Sequence, residues 1–96
     1  MILSFRDEAT EDVFHGENTK AARHIPVSIW KTAFRKLDML NAAQELRDLM
    51  MPQGNRLEVL HGTLAGKHSI RINDQFRIVF RWKDGNAHEV RIDDYH

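Results

Sequence analysis

At 96 residues and 11.2 kDa the chain has room for one hydrophobic core, so residues 1–96 are expected to form a single domain. With 42% hydrophobic and 29% charged residues the composition is globular, and no apolar run approaches the roughly 20 residues that cross a bilayer, which excludes a helical membrane span. Fourteen Lys+Arg balance fourteen Asp+Glu and cysteine is absent, which excludes a global field for steering toward a polyanion, disulfides, thiolate metal sites and a cysteine nucleophile.

The opening Met1-Ile2-Leu3-Ser4-Phe5-Arg6 turns charged within six residues and holds no apolar stretch of signal-peptide length, so a cytoplasmic location is expected. Ile2 to Phe5 read as a short first strand. Asp7, Glu8, Glu11 and Asp12 then crowd the start of a brief helix ending near His15-Gly16, where acids favour the positive end of the helix dipole. A second helix follows from Pro26, with Trp30, Ala33, Phe34, Leu37 and Leu40 at helical spacing on one buried face. Asn41 is expected to break it, and Ala42 to Met50 to continue as another helical segment until Pro52 and Gly54.

Beyond Pro52 the apolar period changes to two, the signature of strands with one buried face. Strands are expected near Leu57–Leu60, Lys67–Asn73, Phe76–Trp82 and Ala87–Asp93, with Asp84-Gly85-Asn86 as a turn and Asn73-Asp74-Gln75 as a tight loop. The fold class is therefore α+β: an N-terminal strand and helices packed on one face of a small, mostly antiparallel sheet.

Ile70, Ile72, Phe76, Ile78, Phe80, Trp82, Val90 and Ile92 share the face that meets the helices. A three-residue loop at Asn73–Gln75 places Ile70 opposite Ile78 and sets Arg71 directly opposite Arg77. Like charges facing each other across strands destabilise, so the pair calls for a counter-charge. Two sources can supply it. One is the last strand, where Asp93 could pair with Arg77 and Glu89 with Arg81 on a solvated outer face. The other is a phosphate, whose oxygens match guanidinium forks.

Six histidines are many for so short a chain. His15, His24 and His88 lie at a helix end, in a loop and beside a hairpin turn, and none has metal-site spacing. His68 has the parity of a partly buried core histidine. His61, just before Gly62, and His96, after Asp94-Tyr95, are better placed for chemistry. No metal or cofactor motif is present. Histidine, tyrosine and carboxylates beside strand-mounted arginines suit RNA cleavage by the substrate's own 2′-hydroxyl, in which a base removes its proton, cations stabilise the phosphorane and an acid protonates the leaving 5′-oxygen.

Several blocks carry a family resemblance: Ile2-Leu3-Ser4-Phe5, Arg35-Lys36-Leu37-Asp38-Met39-Leu40, Gly54-Asn55-Arg56-Leu57-Glu58, Gly62 with Gly66, the run from Ser69 to Ile78, and Asp94-Tyr95-His96. Over nearly its whole length the chain resembles the HigB branch of RelE-type toxins of type II toxin–antitoxin systems. The resemblance implies a RelE-like, microbial-ribonuclease-type fold and a metal-independent endoribonuclease that enters the ribosomal A site, against rRNA, and cuts translated mRNA. It also implies a HigA-like helix-turn-helix antitoxin that neutralises the toxin, with operator DNA bound only through the complex, which represses its own operon.

Carried over by position, the catalytic set is Asp94, Tyr95, His96, Arg71 and Arg77: His96 or Tyr95 exchanges the proton, the arginines hold the phosphate and Asp94 orients its neighbours. Arg56, Lys67, Arg81 and Arg91 are the expected RNA contacts. The sequence departs from the family pattern at the upstream histidine, whose position is taken by Glu58, with His61 where a lysine stands. Either residue is a candidate base, or neither is: His61 is the expected proton exchanger at neutral pH, whereas Glu58 would need its pKa raised by burial to match. Other functions on this fold would be a ParE-like gyrase inhibitor or a non-enzymatic module that binds RNA or a protein.

Overall fold

The computed structural model describes residues 1–94. Tyr95 and His96, two of the residues expected from the resemblance to be catalytic, lie outside the described residues. Helix α1 spans Glu8–Phe14, and Asp7 caps it by accepting from the Thr10 amide at 2.8 Å, as the acidic run before it predicts. Helix α2 spans Trp30–Ala42 and is entered through a 3-10 turn at Val27–Ile29 that follows Pro26.

Four strands follow: β1 (Glu58–Val59), β2 (His68–Arg71), β3 (Phe76–Lys83) and β4 (Asn86–Asp94). They form an antiparallel sheet in the order β1-β2-β3-β4. The register is the expected one, with Ile70 opposite Ile78 and Arg71 opposite Arg77. Helices cover one face. Leu37 and Leu40 of α2 are fully buried with Ile70, Ile78, Phe80, Ala87 and Val90 of the sheet. Thr10, also fully buried, ties α1 to β4 by accepting from the Ile92 amide at 2.9 Å.

Several expectations are corrected. Asn41 does not break α2. It stays helical while its Oδ1 accepts from the Ile2 amide at 2.9 Å, which fixes the N-terminal segment instead. That segment is not a continuous strand: it runs parallel to β4 and touches it through two isolated bridges, Ile2 to Ala87 and Phe5 to Val90. Between the bridges β4 bulges. Glu89 takes a left-handed φ of 53°, and its amide is served by Ser4 Oγ at 2.8 Å.

The segment from Ala42 to Met50 is not a further α-helix. Residues 43–45 are not helical, and a 3-10 turn occupies only Leu46–Met50, where Asp48 accepts from the Gln44 and Glu45 amides at 3.0 Å each. The backbone bonds hold the Asp48 carboxyl below its ordinary pKa. The strand expected at Leu57–Leu60 shrinks to two residues, and Lys67, Ile72 and Asn73 lie outside β2. Phe34 is 44% exposed rather than buried and stacks on Phe14 at 6.2 Å. His24 lies in a 3-10 turn, Ala22–His24, rather than in an open loop. His68 is half-buried and stacks on Phe80 at 6.0 Å, matching its parity. The outer face is not uniformly solvated: Val79 is fully buried there, and Ser69 and Lys67 nearly so.

Two blocks distant in sequence meet inside the fold. Lys36, buried on α2, donates from Nζ to Oδ1 of the fully buried Asn55 at 2.5 Å. Asn55 Nδ2 in turn donates to the Leu49 and Met51 carbonyls at 3.2 and 3.4 Å. This network fixes the chain just before Arg56. Replacing Lys36 with methionine leaves the Asn55 oxygen buried without its donor, and a urea melt is expected to show a loss of about 1–3 kcal/mol.

The pH dependence of that loss has a definite sign. Burial, with Arg35 nearby, lowers the Lys36 pKa below its ordinary 10.5. A lowered lysine costs the folded state most below its folded pKa, and the cost vanishes above the unfolded one. The wild type's lead over Lys36→Met is therefore expected to widen as pH rises toward 10.5.

Candidate active site

The helix-free face of the sheet carries a shallow pocket of about 110 Å³ lined by Arg56, Glu58, Ser69, Arg71 and Arg77. Each residue arrives by a simple rule. Alternation puts Arg71 and Ser69 of β2 on the face opposite Ile70, and Arg77 of β3 opposite Ile78. Glu58 pairs in register with Ser69, which brings a carboxylate from β1 to the same side. Arg56 enters from a left-handed residue, φ 45°, immediately after the anchored Asn55.

Counter-charges hold Arg71 and Arg77 in place. Arg71 pairs through Nη2 with Asp74 in the β2–β3 loop. Arg77 donates to Asp93 of β4 from Nε and Nη2, each at 3.3 Å, the cross-strand pair the sequence suggests. Arg81 pairs with Glu89 at 2.9 Å, as expected, although the bulge sets Arg81 opposite His88 in register. Arg6 also reaches Glu89, at 3.5 Å. The Arg81 hydrogen bond, with help from Lys67 and Arg6, holds the Glu89 carboxyl below the ordinary carboxylate range.

Of the residues singled out from sequence, Arg56, Glu58, Arg71 and Arg77 converge on the pocket. The others described do not line it. His61 is exposed at the start of a 3-10 turn, Gly62–Leu64, outside the pocket. Lys67 and Arg81 stand farther along the same face, around Glu89. Arg91 lies opposite Val79 and contacts Asp93 at 3.4 Å. Asp94 falls opposite Phe76, on the helix side by alternation, where its Oδ2 accepts from Gln75 Nε2 at 2.9 Å. Ser69 is the pocket residue that sequence reasoning missed; its parity with Arg71, two residues on, is the signal that finds it.

Cationic forks and one carboxylate in a concave spot can hold a phosphodiester and accept a proton from a neighbouring hydroxyl. Residues 3–96 match the family model of the HigB-like toxin, described as a RelE-like toxin of the type II toxin–antitoxin system HigB. The chain belongs to the HigB-like toxin family. Toxin HigB-1 of Vibrio cholerae serotype O1 is 46% identical over 93 residues, covering 97% of this chain and 96% of that one. An uncharacterized protein of Haemophilus influenzae is 30% identical over 89 residues, covering 93% and 86%.

Two structures of the YoeB-YefM complex from Staphylococcus aureus, one of them a heterotetrameric toxin-antitoxin complex, superpose with a TM-score of 0.56. Each covers 100% of this chain and 98% of its own, at 15% and 17% identity. That likeness shows the fold: this HigB-like toxin has the α+β, RelE-like architecture described above. No helix among the described residues is long and apolar enough to cross a membrane.

Proposed function

We propose that this HigB-like toxin is a ribosome-dependent endoribonuclease that cuts translated mRNA in the A site by 2′-hydroxyl attack. The observation that carries the reading is the convergence of Arg56, Arg71, Arg77 and Glu58 on one pocket. In the proposed step Glu58 takes the proton of the 2′-hydroxyl, and the substrate's 2′-oxygen forms a bond to phosphorus. The P–O5′ bond breaks, and His96 or Tyr95 protonates the leaving 5′-oxygen. The products are a 2′,3′-cyclic phosphate and a 5′-hydroxyl. Arg71 and Arg77 supply the positive charge that the phosphorane needs, so the step calls for no metal.

Arg56, Lys67, Arg81 and Arg91 would track the RNA and rRNA backbones, and Asp94 would orient the chain leading into Tyr95 and His96. The partner is read as a HigA-like helix-turn-helix antitoxin, whose complex with the toxin binds operator DNA and represses the operon. Family membership supports an antitoxin partner, and the solved relatives are themselves complexes with one.

Primer extension on a reporter mRNA in a purified translation system tests the reading. Wild-type protein is expected to produce cuts within codons only when ribosomes are present. With His96→Ala, cleavage should fall at least tenfold to about a hundredfold, the effect of losing a general acid or base. Growth arrest without cuts would overturn the proposal and direct attention to a gyrase supercoiling assay.

A further inference from the structure

Asp93 is shared between two arginines, and each of these contacts is long. Its Oδ2 lies 3.3 Å from both Nε and Nη2 of Arg77, and its Oδ1 lies 3.4 Å from Nη2 of Arg91. A well-formed guanidinium–carboxylate contact is roughly 2.7–2.9 Å, often with two parallel N–H donors on two oxygens. Arg91 falls short of that in a specific way. Its Nε is buried and has no hydrogen-bond partner among the described residues, and such an orphaned buried N–H is rare in folded proteins. The Asp93 carboxylate already sits 3.4 Å from the adjacent Nη2, and a rotation toward Nε would engage both donors.

The surroundings supply a reason for such a rotation. Arg77 lines the pocket, whereas Asp93 and Arg91 do not. A phosphate held by Arg77 and Arg71 would compete for the same guanidinium edge that Asp93 contacts. Asp93, Arg77 and Arg91 are each only about a fifth to a third exposed, at 21%, 19% and 30%, so a displaced carboxylate needs a partner at hand.

We infer that Asp93 is a displaceable carboxylate that competes with substrate phosphate for Arg77 and is received by the fork of Arg91 when the phosphate wins. The inference rests on reading the pocket as the phosphate site. It assigns Asp93 and Arg91 a positioning role: Asp93 sets how tightly the phosphate is held, and Arg91 offsets the loss of the Arg77 contact.

The test uses the full chain and an uncleavable probe, a short oligoribonucleotide with 2′-O-methyl groups. Its binding is followed by fluorescence anisotropy and by the Nε–Hε signals of ¹⁵N-labelled arginines. Wild type, Asp93→Asn, Arg91→Met and the double variant are compared, with Arg71→Met as the pocket control. Expected in wild type is a concerted shift of the Arg77 and Arg91 signals on titration. Asp93→Asn should bind the probe about five- to tenfold more tightly, and Arg91→Met should bind more weakly by a similar factor, the size of coupling usual for groups in contact.

The effect of Arg91→Met should then vanish in the Asp93→Asn background, where no carboxylate needs to be received. A purely electrostatic role predicts the same Arg91→Met loss in both backgrounds. That result, or an Arg77 signal that moves while Arg91 stays still, overturns the inference and leaves the phosphate site standing. If Arg71→Met binds the probe as well as wild type and neither signal moves, the phosphate site itself fails and the inference with it.

Discussion

Replacing Arg71 with methionine is expected to lower mRNA cleavage by about a hundredfold or more, the usual cost of removing one donor that stabilises a developing oxyanion. Arg71 and Arg77 stand directly opposite each other and both line the pocket, so a phosphorane seated there gains from both. The same geometry predicts that stability will not suffer. Two facing arginines repel by up to about 1 kcal/mol, and methionine keeps most of the stem while removing one charge.

The lost ion-pair partner, Asp74, is 93% exposed and can return to water. The urea midpoint of Arg71→Met should therefore equal or slightly exceed that of the wild type. Cleavage rates in a purified translation system and a urea melt check both halves. A cleavage loss below about tenfold would remove Arg71 from the transition state, and a large loss of stability would make its role structural. Retained stability beside lost cleavage is the signature of a charge pair kept for function.

The sheet half of this fold was legible because its signal is local. Alternation over Ile70, Ile72, Phe76, Ile78 and Phe80 names the buried face, and the loop length at Asn73–Gln75 sets the register. The outward pairs Arg77–Asp93 and Arg81–Glu89 followed from the same parity. The connection from α2 to β1 was not legible, because its conformation is decided by tertiary partners. Asn41 is kept helical while its side chain serves the N-terminal segment, and Asn55 is fixed by Lys36 and two carbonyls from the preceding turn. A lysine on a helix reads as solvated until the fold shows its partner.

Part of the pocket was similarly readable. Arg71 and Arg77 come from pattern, whereas which of Glu58 and His61 reaches the pocket depends on where a two-residue strand stops. Residue 58 pairs with Ser69 across the sheet; residue 61 has already left it for the turn that follows.

That choice leads to the second large effect. Glu58→Gln is expected to reduce cleavage by about a hundredfold or more, within the range for a lost general base, whereas His61→Ala should stay within about threefold of wild type. Glutamine keeps the volume and the hydrogen-bonding oxygen of the side chain but cannot accept the 2′-hydroxyl proton. A loss in Glu58→Gln therefore reports proton transfer rather than shape. Both positions are exposed, so neither change should disturb folding, and equal urea midpoints would confirm that.

Single-turnover cleavage on programmed ribosomes separates the step from binding: loss of the base should lower the maximal rate and leave the half-saturating toxin concentration nearly unchanged. The opposite pattern, with His61→Ala inactive and Glu58→Gln active, would move the base to the turn at Gly62–Leu64. The pocket would then hold the phosphate alone, with its carboxylate serving to space Arg56, Arg71 and Arg77 rather than to take the proton.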